Sequence, residues 1–440
     1  MPRKLVAVAV AAAVAAVAVM GPGAMAGGFS IPEVGVRRTG MASIVGRPDD
    51  PSAIYHNPAG LVLSHGWKLY LSAGLSLLHT SFALHTWDQS DKFIADQPDS
   101  DGYYKAIKPS RAYGVIPLVA ATGEIIPDRL VIGASVFVGN AQGAKFSESG
   151  VTHYHLIDGY VIAPQAVVAA AYRLAPSLSL GASVGVINIR IHGERDVFPI
   201  VNGSDIQRLT GSSPRLLLDG SGWAPTWMLG AFGQPTSRLT WGASLTGRVD
   251  ATLAGPVNVT YSQDASVPGD MLNGKQTTNQ LLPWALFAGA NYDVTPHVEI
   301  GAEARYWLYR QYKEQDTELA GIFLVRSLVT TKNYHDSQEF SGGVRVHGLD
   351  FAPALDLMAG AQYDHSPAPP STITLDSPSF SHVGLHSGAR YSWDRYRFGA
   401  SYIHYWYDVP TITDSITSPP TNIKGSGSNN IFTLSIEARL

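Results

Sequence analysis

The chain has 440 residues, a formal net charge of −4 and no cysteine, and charged residues make up 15% of it, well below the roughly 25% of soluble globular domains. The near-neutral balance argues against a nucleic-acid-binding protein, which would need a basic face. Without cysteine, the chain can form neither a disulfide scaffold nor a thiolate metal site.

A secretory signal peptide is predicted at residues 1–26. A basic start and an Ala/Val-rich apolar run are followed by Ala24-Met25-Ala26, which matches a small-residue cleavage site. The apolar run is too short to cross a membrane as a helix, and no run of about 18 apolar residues follows it. The sequence therefore predicts an exported chain without a helical anchor, whose mature form starts at Gly27.

Long strands are predicted from Gly66 onward, where apolar residues recur at every second position. Residues 67–77, 239–249 and 298–308 show this alternation most clearly. Since successive strand side chains point to opposite faces, each strand would have one apolar and one polar face. Strands of this length exceed the roughly 5 to 6 residues usual in soluble sheets.

About fourteen such segments follow one another along the chain. They cover residues 66–86, 111–126, 129–140, 160–174, 177–192, 223–234, 238–254, 281–293, 297–313, 338–349, 354–365, 380–393, 395–408 and 429–440. Short connectors alternate with long ones, which predicts an up-and-down barrel with tight turns at one rim and long loops at the other. A large soluble all-β protein, the alternative, has no reason to alternate its loop lengths. The last strand runs to Leu440 and must pair with the first, because an open edge cannot face lipid.

Residues 27–65 do not alternate and contain two short motifs, Gly27-Gly28-Phe29 and Asn57-Pro58-Ala59. In their order, and in the strand count and loop rhythm that follow, they resemble the FadL-type outer-membrane long-chain fatty acid transporters, which include TodX-like aromatic hydrocarbon channels. The resemblance spans the whole mature chain. A periplasmic linker turn is the alternative interpretation of the Asn-Pro-Ala motif, since Asn-Pro is an ordinary turn.

The resemblance implies an all-β fold, a 14-stranded antiparallel transmembrane β-barrel (residues 66–440) with an N-terminal hatch (residues 27–65) plugging the lumen. A barrel of this size is too wide for side chains alone to fill, so a plug is physically reasonable. Pro58 fixes its own φ and Asn57 can cap the turn, which would give the hatch a defined shape.

In function, the resemblance implies passive uptake of hydrophobic compounds across the bacterial outer membrane. Loops 193–222 and 255–280 would capture the ligand, a pocket at Gly27, Gly28 and Phe29 would hold it, and the wall would release it sideways into the membrane. Apolar transfer out of water drives such uptake, so neither a cofactor nor a catalytic residue is expected. Expected partners are hydrophobic small molecules, outer-membrane lipid, lipopolysaccharide and the barrel-assembly machinery, with no nucleic acid and a monomeric barrel.

Two strands contain features that bear on a side opening. In 177–192 the apolar phase switches, which predicts a bulge near Gly185–Asn188 that would be either an opening or a bend at the extracellular rim. Family members usually open at the third strand, where Gly133 is a potential weak point.

Four arginines are predicted to face the lumen, where they could meet a fatty acid carboxylate: Arg248, Arg305, Arg345 and Arg390. The alternative is a satisfied charge network with Asp250, Glu299 and Glu303, which share their phase.

No motif points to a metal or to catalysis. His153 and His155, and likewise His382 and His386, have no third ligand nearby in sequence. The open alternatives to fatty acid uptake are an aromatic hydrocarbon channel, a non-specific porin and an outer-membrane hydrolase. The sequence does not distinguish fatty acids from hydrocarbons.

Overall fold

The computed structural model describes residues 30–86, 97–197, 214–260, 272–322 and 326–440. The predicted signal peptide and Gly27, Gly28 and Phe29 lie outside the described residues. Within the described ranges, no helix is long and apolar enough to cross a membrane.

Long antiparallel strands make up most of the described chain. They are β1 (Trp67–Leu84), β2 (Tyr113–Ile126), β3 (Leu130–Lys145), β4 (Asp158–Ala175), β5 (Leu178–Asp196), β6 (Arg215–Gly233), β7 (Leu239–Thr246), β8 (Val249–Thr260), β9 (Asn273–Leu282), β10 (Ala285–Thr295), β11 (Val298–Trp307), β12 (Glu314–Ala320), β13 (Ser327–Thr331), β14 (Ser337–Val346), β15 (Leu355–Asp364), β16 (Ser381–Trp393), β17 (Tyr396–Asp408) and β18 (Ile423–Arg439). Each strand pairs with its neighbours, and β1 closes the barrel by pairing with β18 from Lys68↔Arg439 to Leu84↔Ile423.

These segments form fourteen barrel strands, because four of the strands are interrupted. β7 continues as β8, β9 as β10, β11 as β12, and β13 as β14. The predicted 14-stranded antiparallel barrel is therefore confirmed. Parts of the predicted long loops are strand in the structure: β6 begins at Arg215 and β8 runs to Thr260, so the wall extends above the expected rim.

Residues 30–65, the hatch segment, lie inside the barrel and are almost entirely buried. They form two short helices, α1 (Val36–Met41) and α2 (Ala53–His56), and a 3₁₀ helix (Pro58–Leu63). α1 packs against β14 to β18, and the 3₁₀ helix packs against β3 to β7. The hatch segment thus contacts both halves of the wall.

The prediction of a bulge near Gly185–Asn188 is wrong. The β5–β6 register runs without a shift from Leu178↔Gly233 to Asp196↔Arg215. What changes along β5 is its surroundings: Ile187 and Ile189 face an apolar lumen above the hatch segment, whereas the inward Ser183 lies lower. The apolar residues therefore change position in the sequence because the lumen is polar at the level of Ser183 and apolar at the level of Ile187 and Ile189.

Candidate ligand channel

The Asn57-Pro58-Ala59 motif forms the turn that docks the hatch segment. The Asn57 side-chain oxygen accepts a hydrogen bond from the Ala59 N–H at 3.2 Å and so caps the 3₁₀ helix, in which Pro58 is the first residue. The Asn57 Nδ2 donates to the carbonyl oxygens of Val45 at 3.2 Å and Ala231 at 2.9 Å. One buried amide therefore joins two parts of the hatch segment to β6.

Three glycines on adjacent strands make room for this turn. A Cβ at Gly181 on β5 would lie 2.4 Å from the Ala59 nitrogen, and one at Gly230 on β6 would lie 2.3 Å from the Asn57 Oδ1. On β7, a Cβ at Gly242 would lie 2.0 Å from the Val45 carbonyl oxygen. Any larger residue would force the hatch segment away from the wall.

A buried charge network ties α1 to the opposite side of the wall. Arg37 donates to Glu299 at 2.5 Å, and Arg38 donates to Glu339 at 2.5 Å. All four side chains are fully buried, so each charge depends on its partner.

Asp49 of the hatch segment is a second centre of this network. Its carboxylate accepts from Arg390 at 2.9 Å and from Arg345 at 3.2 Å. Burial alone would raise the pKa of Asp49, but Arg37, Arg390 and Arg345 hold the pKa of this carboxyl well below its usual range. Arg345 and Arg390 therefore serve the network and fit the alternative interpretation of these arginines.

Arg305 is also part of the network. It is fully buried, its Nε donates to Glu303 at 2.7 Å, and its Nη2 lies 3.1 Å from the His56 Nδ1. Burial and the Arg305 charge lower the pKa of His56 well below its usual value, so Nδ1 can accept from Arg305 while Nε2–H donates to the Val34 carbonyl at 2.7 Å. Arg305 also lies 4.7 Å from the ring of Phe287, which borders the cavity described next.

Arg248 does not face the lumen, contrary to the prediction. It lies in the interruption between β7 and β8, is exposed, and binds Asp250 through two hydrogen bonds of 2.7 Å. Below the interruption, odd-numbered residues such as Trp241 face outward; above it, odd-numbered residues such as Val249 face inward. The interruption therefore exchanges the faces that the odd-numbered and the even-numbered residues occupy.

A narrow apolar cavity of about 80 Å³ lies next to Ser30, the first described residue of the hatch segment. Its lining includes Tyr55 from the hatch segment, Phe137 and Gly139 from β3, and Phe287 from β10. Ser30 directly follows Gly27, Gly28 and Phe29, the residues at which the sequence placed a pocket. The other lining residues were not identified from the sequence.

The wall has a gap beside this cavity, between β2 and β3. β3 has one extra residue at Gly139–Asn140 relative to β4, a β-bulge. The β2–β3 ladder ends at Leu118↔Phe137, and the two strands do not pair in the described stretches 113–117 and 138–144. The bulge lies on the third strand but not at Gly133. At Gly133 the β2–β3 and β3–β4 registers are both continuous.

The hatch segment reaches this gap. The Ile31 N–H donates to the Gly139 carbonyl at 2.9 Å, and Ser30 forms an isolated bridge with Asn140. The one sequence signal for this bulge is the Gly139-Asn140 pair, since these residue types are common in turns and bulges. The alternation of the surrounding residues made the pair look like part of a regular strand.

A second, polar cavity of about 100 Å³ lies among the upper loops. Arg195 lines it, and the buried Lys332 follows the lining residue Thr331. Among its described lining residues, Asp376 is the one carboxylate. The predicted capture loops 193–222 and 255–280 lie partly outside the described residues, at 198–213 and 261–271.

Comparison with known proteins agrees with this geometry. The model of the outer membrane protein transport protein family (OMPP1/FadL/TodX) matches residues 17–439. A FadL homologue from Pseudomonas aeruginosa superposes with a TM-score of 0.79 at 15% identity, covering 94% of this chain and 99% of its own. The Pseudomonas putida toluene transporter TodX gives a TM-score of 0.69 at 15% identity, with coverage of 94% and 99%. The Ralstonia pickettii toluene transporter TbuX gives 0.66 at 15%, with coverage of 94% and 98%.

At these identities the solved structures establish the shared fold alone, and no curated protein sequence matches the chain. The family match confirms the outer-membrane location and the expectation of a transport channel rather than an enzyme. The signal peptide, the domain bounds, the lipopolysaccharide and assembly partners and the monomeric state stay predictions. The chain belongs to the FadL/TodX family of outer-membrane transport proteins for hydrophobic compounds.

Proposed function

We propose that the protein is a passive uptake channel for long-chain fatty acids or similar hydrophobic compounds. The ligand is captured among the upper loops, moves to the pocket at the hatch N-terminus (Gly27, Gly28, Phe29 and the adjoining cavity) and leaves sideways through the β2–β3 gap. The observation that carries this proposal is the cavity itself, which touches both the start of the hatch segment and the bulged strand β3.

The cavity is too narrow for a long acyl chain, so its walls have to move. The hatch segment is held to β3 at this end by the Ile31–Gly139 hydrogen bond, whereas its charged contacts lie on the other side. Displacing residues near Ser30 would widen the cavity toward the gap without breaking a buried ion pair. Burying apolar ligand surface supplies the driving force.

The polar upper cavity favours a ligand with an acidic group. Arg195 lines this cavity together with Asp376, the buried Lys332 follows the lining residue Thr331, and a guanidinium binds a carboxylate well. This supports fatty acids over aromatic hydrocarbons such as toluene, the second candidate, which would gain nothing from these cations. A non-specific porin would need an open lumen, whereas the hatch segment fills this one.

Deleting Asn140 tests the release step. Removing the extra residue would let β3 pair with β2 and close the gap, so oleate uptake by a complemented deletion strain should fall several-fold. Asn140→Ala keeps the bulge and serves as the matched control. Equal uptake by both variants and the wild type would contradict release at β2–β3.

Substrate class is tested by growth on oleate and on toluene. Arg195→Ala and Lys332→Ala should impair oleate uptake and leave toluene uptake unchanged. Loss of the whole protein without a defect on either compound would overturn both candidate functions.

A further inference from the structure

The wall contains a second gap, between β6 and β8, far along the sheet from the β2–β3 gap. The β6–β7 ladder ends at Met228↔Thr246, and pairing resumes with β8 at Ser221↔Ala254. In the described stretches between these rungs, 222–227 and 247–253, no ladder pair forms. Pro225, in the middle of the gap, has no N–H to offer.

Trp227 occupies this gap in an unusual way. It belongs to the outward phase of β6, in which Trp223 is 69% and Leu229 51% exposed. Nevertheless, Trp227 lines the internal cavity beside Ser30. Its ring lies so close to Gly247 that a Cβ there would be 2.4 Å from it. A side chain from the lipid-facing side therefore forms part of the cavity wall.

Trp284 completes the closure. It lies in the interruption between β9 and β10, opposite that between β7 and β8, and its ring packs edge-on against Trp227 with centroids 5.4 Å apart. One backbone hydrogen bond, from the Gly247 N–H to the Trp227 carbonyl at 3.0 Å, crosses the gap here, and no ladder pair of the described strands does. Beyond this bond, the two indole rings lie between the cavity and the outside. Ring rotation requires no loss of backbone hydrogen bonds, which in a bilayer would be costly.

Outside the barrel, an apolar groove of about 530 Å³ continues from this point. Its lining includes Leu229, Leu245, Leu286 and Phe340, and it shares Phe287 with the internal cavity. A molecule leaving between the tryptophans would meet apolar surface immediately, so its apolar part would stay out of water.

We propose that the β6–β8 gap is a second lateral passage for apolar molecules, closed in this structure by Trp227 and Trp284 and leading into the outer groove. The inference rests on the proposed uptake function, since it takes the occupant of the cavity to be the transported hydrophobic compound. It assigns the protein two exits from one pocket.

Accessibility of the cavity from the bilayer tests this passage. Because the chain has no cysteine, Met228→Cys places a single thiol in the cavity lining. The refolded protein in liposomes is exposed to a phospholipid whose acyl chain ends in a thiol-reactive group. Adding Trp227→Ala or Trp284→Ala should raise the labelling rate several-fold, whereas Trp223→Ala, on the same face of β6 but away from the cavity, should not.

The same comparison in a background lacking Asn140 separates the two exits. The acceleration by Trp227→Ala should persist there. Its disappearance, or an equal acceleration by Trp223→Ala, would overturn the second passage.

Photolabelling of the unmodified chain provides a test that requires no variant to fold. A diazirine-bearing fatty acid should leave adducts on Trp284 and on Leu286 of the outer groove, which do not line the cavity, as well as near Asn140. Adducts confined to the β2–β3 gap would contradict the proposal, whereas absence of oleate uptake by the wild type would instead contradict the proposed function.

Discussion

The two halves of the barrel wall hold the hatch segment by different forces. β2 to β6 present apolar side chains such as Leu118 and Phe137 to Ile54 and Leu61 of the hatch segment. β10 to β16 bind it through buried ion pairs such as Arg38–Glu339. Apolar contacts are non-directional and tolerate small shifts, whereas buried ion pairs require fixed geometry. The comparison indicates that one side of the hatch segment is anchored and the other can move.

Arg38→Ala should produce the largest effect, because it leaves Glu339 buried without its closest partner. Breaking a buried pair in this way costs about 3–5 kcal/mol, so the free energy of unfolding of the refolded barrel in urea should fall by that amount. Adding Glu339→Gln should restore part of the loss. A loss below that of a surface substitution would contradict the anchoring role.

Gly242→Ala tests the close approach of the hatch segment to the three glycines of β5, β6 and β7. The new Cβ would lie 2.0 Å from the Val45 carbonyl oxygen, so overpacking should cost about 1–3 kcal/mol and displace the hatch segment. Ion conductance of single barrels in planar bilayers should rise. Gly193→Ala, where the nearest atom would be 3.5 Å away, is the matched control and should conduct like the wild type.

Val62→Ala should have a smaller effect on the apolar side. Val62 is buried against β3 and β4, and removing two methyl groups should cost about 1.5 kcal/mol. Conductance should stay low, because the charged anchors remain. An open channel in this variant would mean that apolar contacts, too, fix the hatch segment.

The smallest expected effect is a pH dependence that is flat near neutrality. Because the pKa of Asp49 is lowered when the hatch segment is docked, its contribution is complete above about pH 4 and is lost as the pH falls through the lowered value. The stability difference between the wild type and Asp49→Asn should therefore stay constant from about pH 8 to pH 5 and shrink below about pH 4. A difference that changes near neutrality would show that the arginines do not control Asp49.

Sequence alternation predicted the barrel because period two is a local property of each strand. It failed where environment and backbone changed independently. On β5 the apolar phase switches at Ile187 while the backbone continues regularly. On β7 and β8 the opposite occurs: apolar residues stay at odd positions from Trp241 to Leu253, yet the interruption turns them from lipid to lumen. Either case gives a wrong prediction if each strand is assumed to keep one apolar face and one polar face along its whole length.

The candidate site was only partly predictable for a related reason. Asn57 and Pro58 were recognisable because a cap and a fixed φ are local properties. The partners that give them a function, Gly230 and Gly242, lie more than a hundred residues away, and only the closed barrel brings them together. The tryptophan closure depends likewise on two interruptions that meet across neighbouring strands.

The seam between β1 and β18 has a consequence for the order of events during biogenesis. Once Lys68 to Leu84 have paired with the carboxyl-terminal strand, the described strands form a closed cylinder. The segment that carries Arg37 and Arg38 would then have to enter through one end of the closed barrel, with both charges unpaired until they reach Glu299 and Glu339. We therefore expect the hatch segment to dock inside the barrel before β1 and β18 pair.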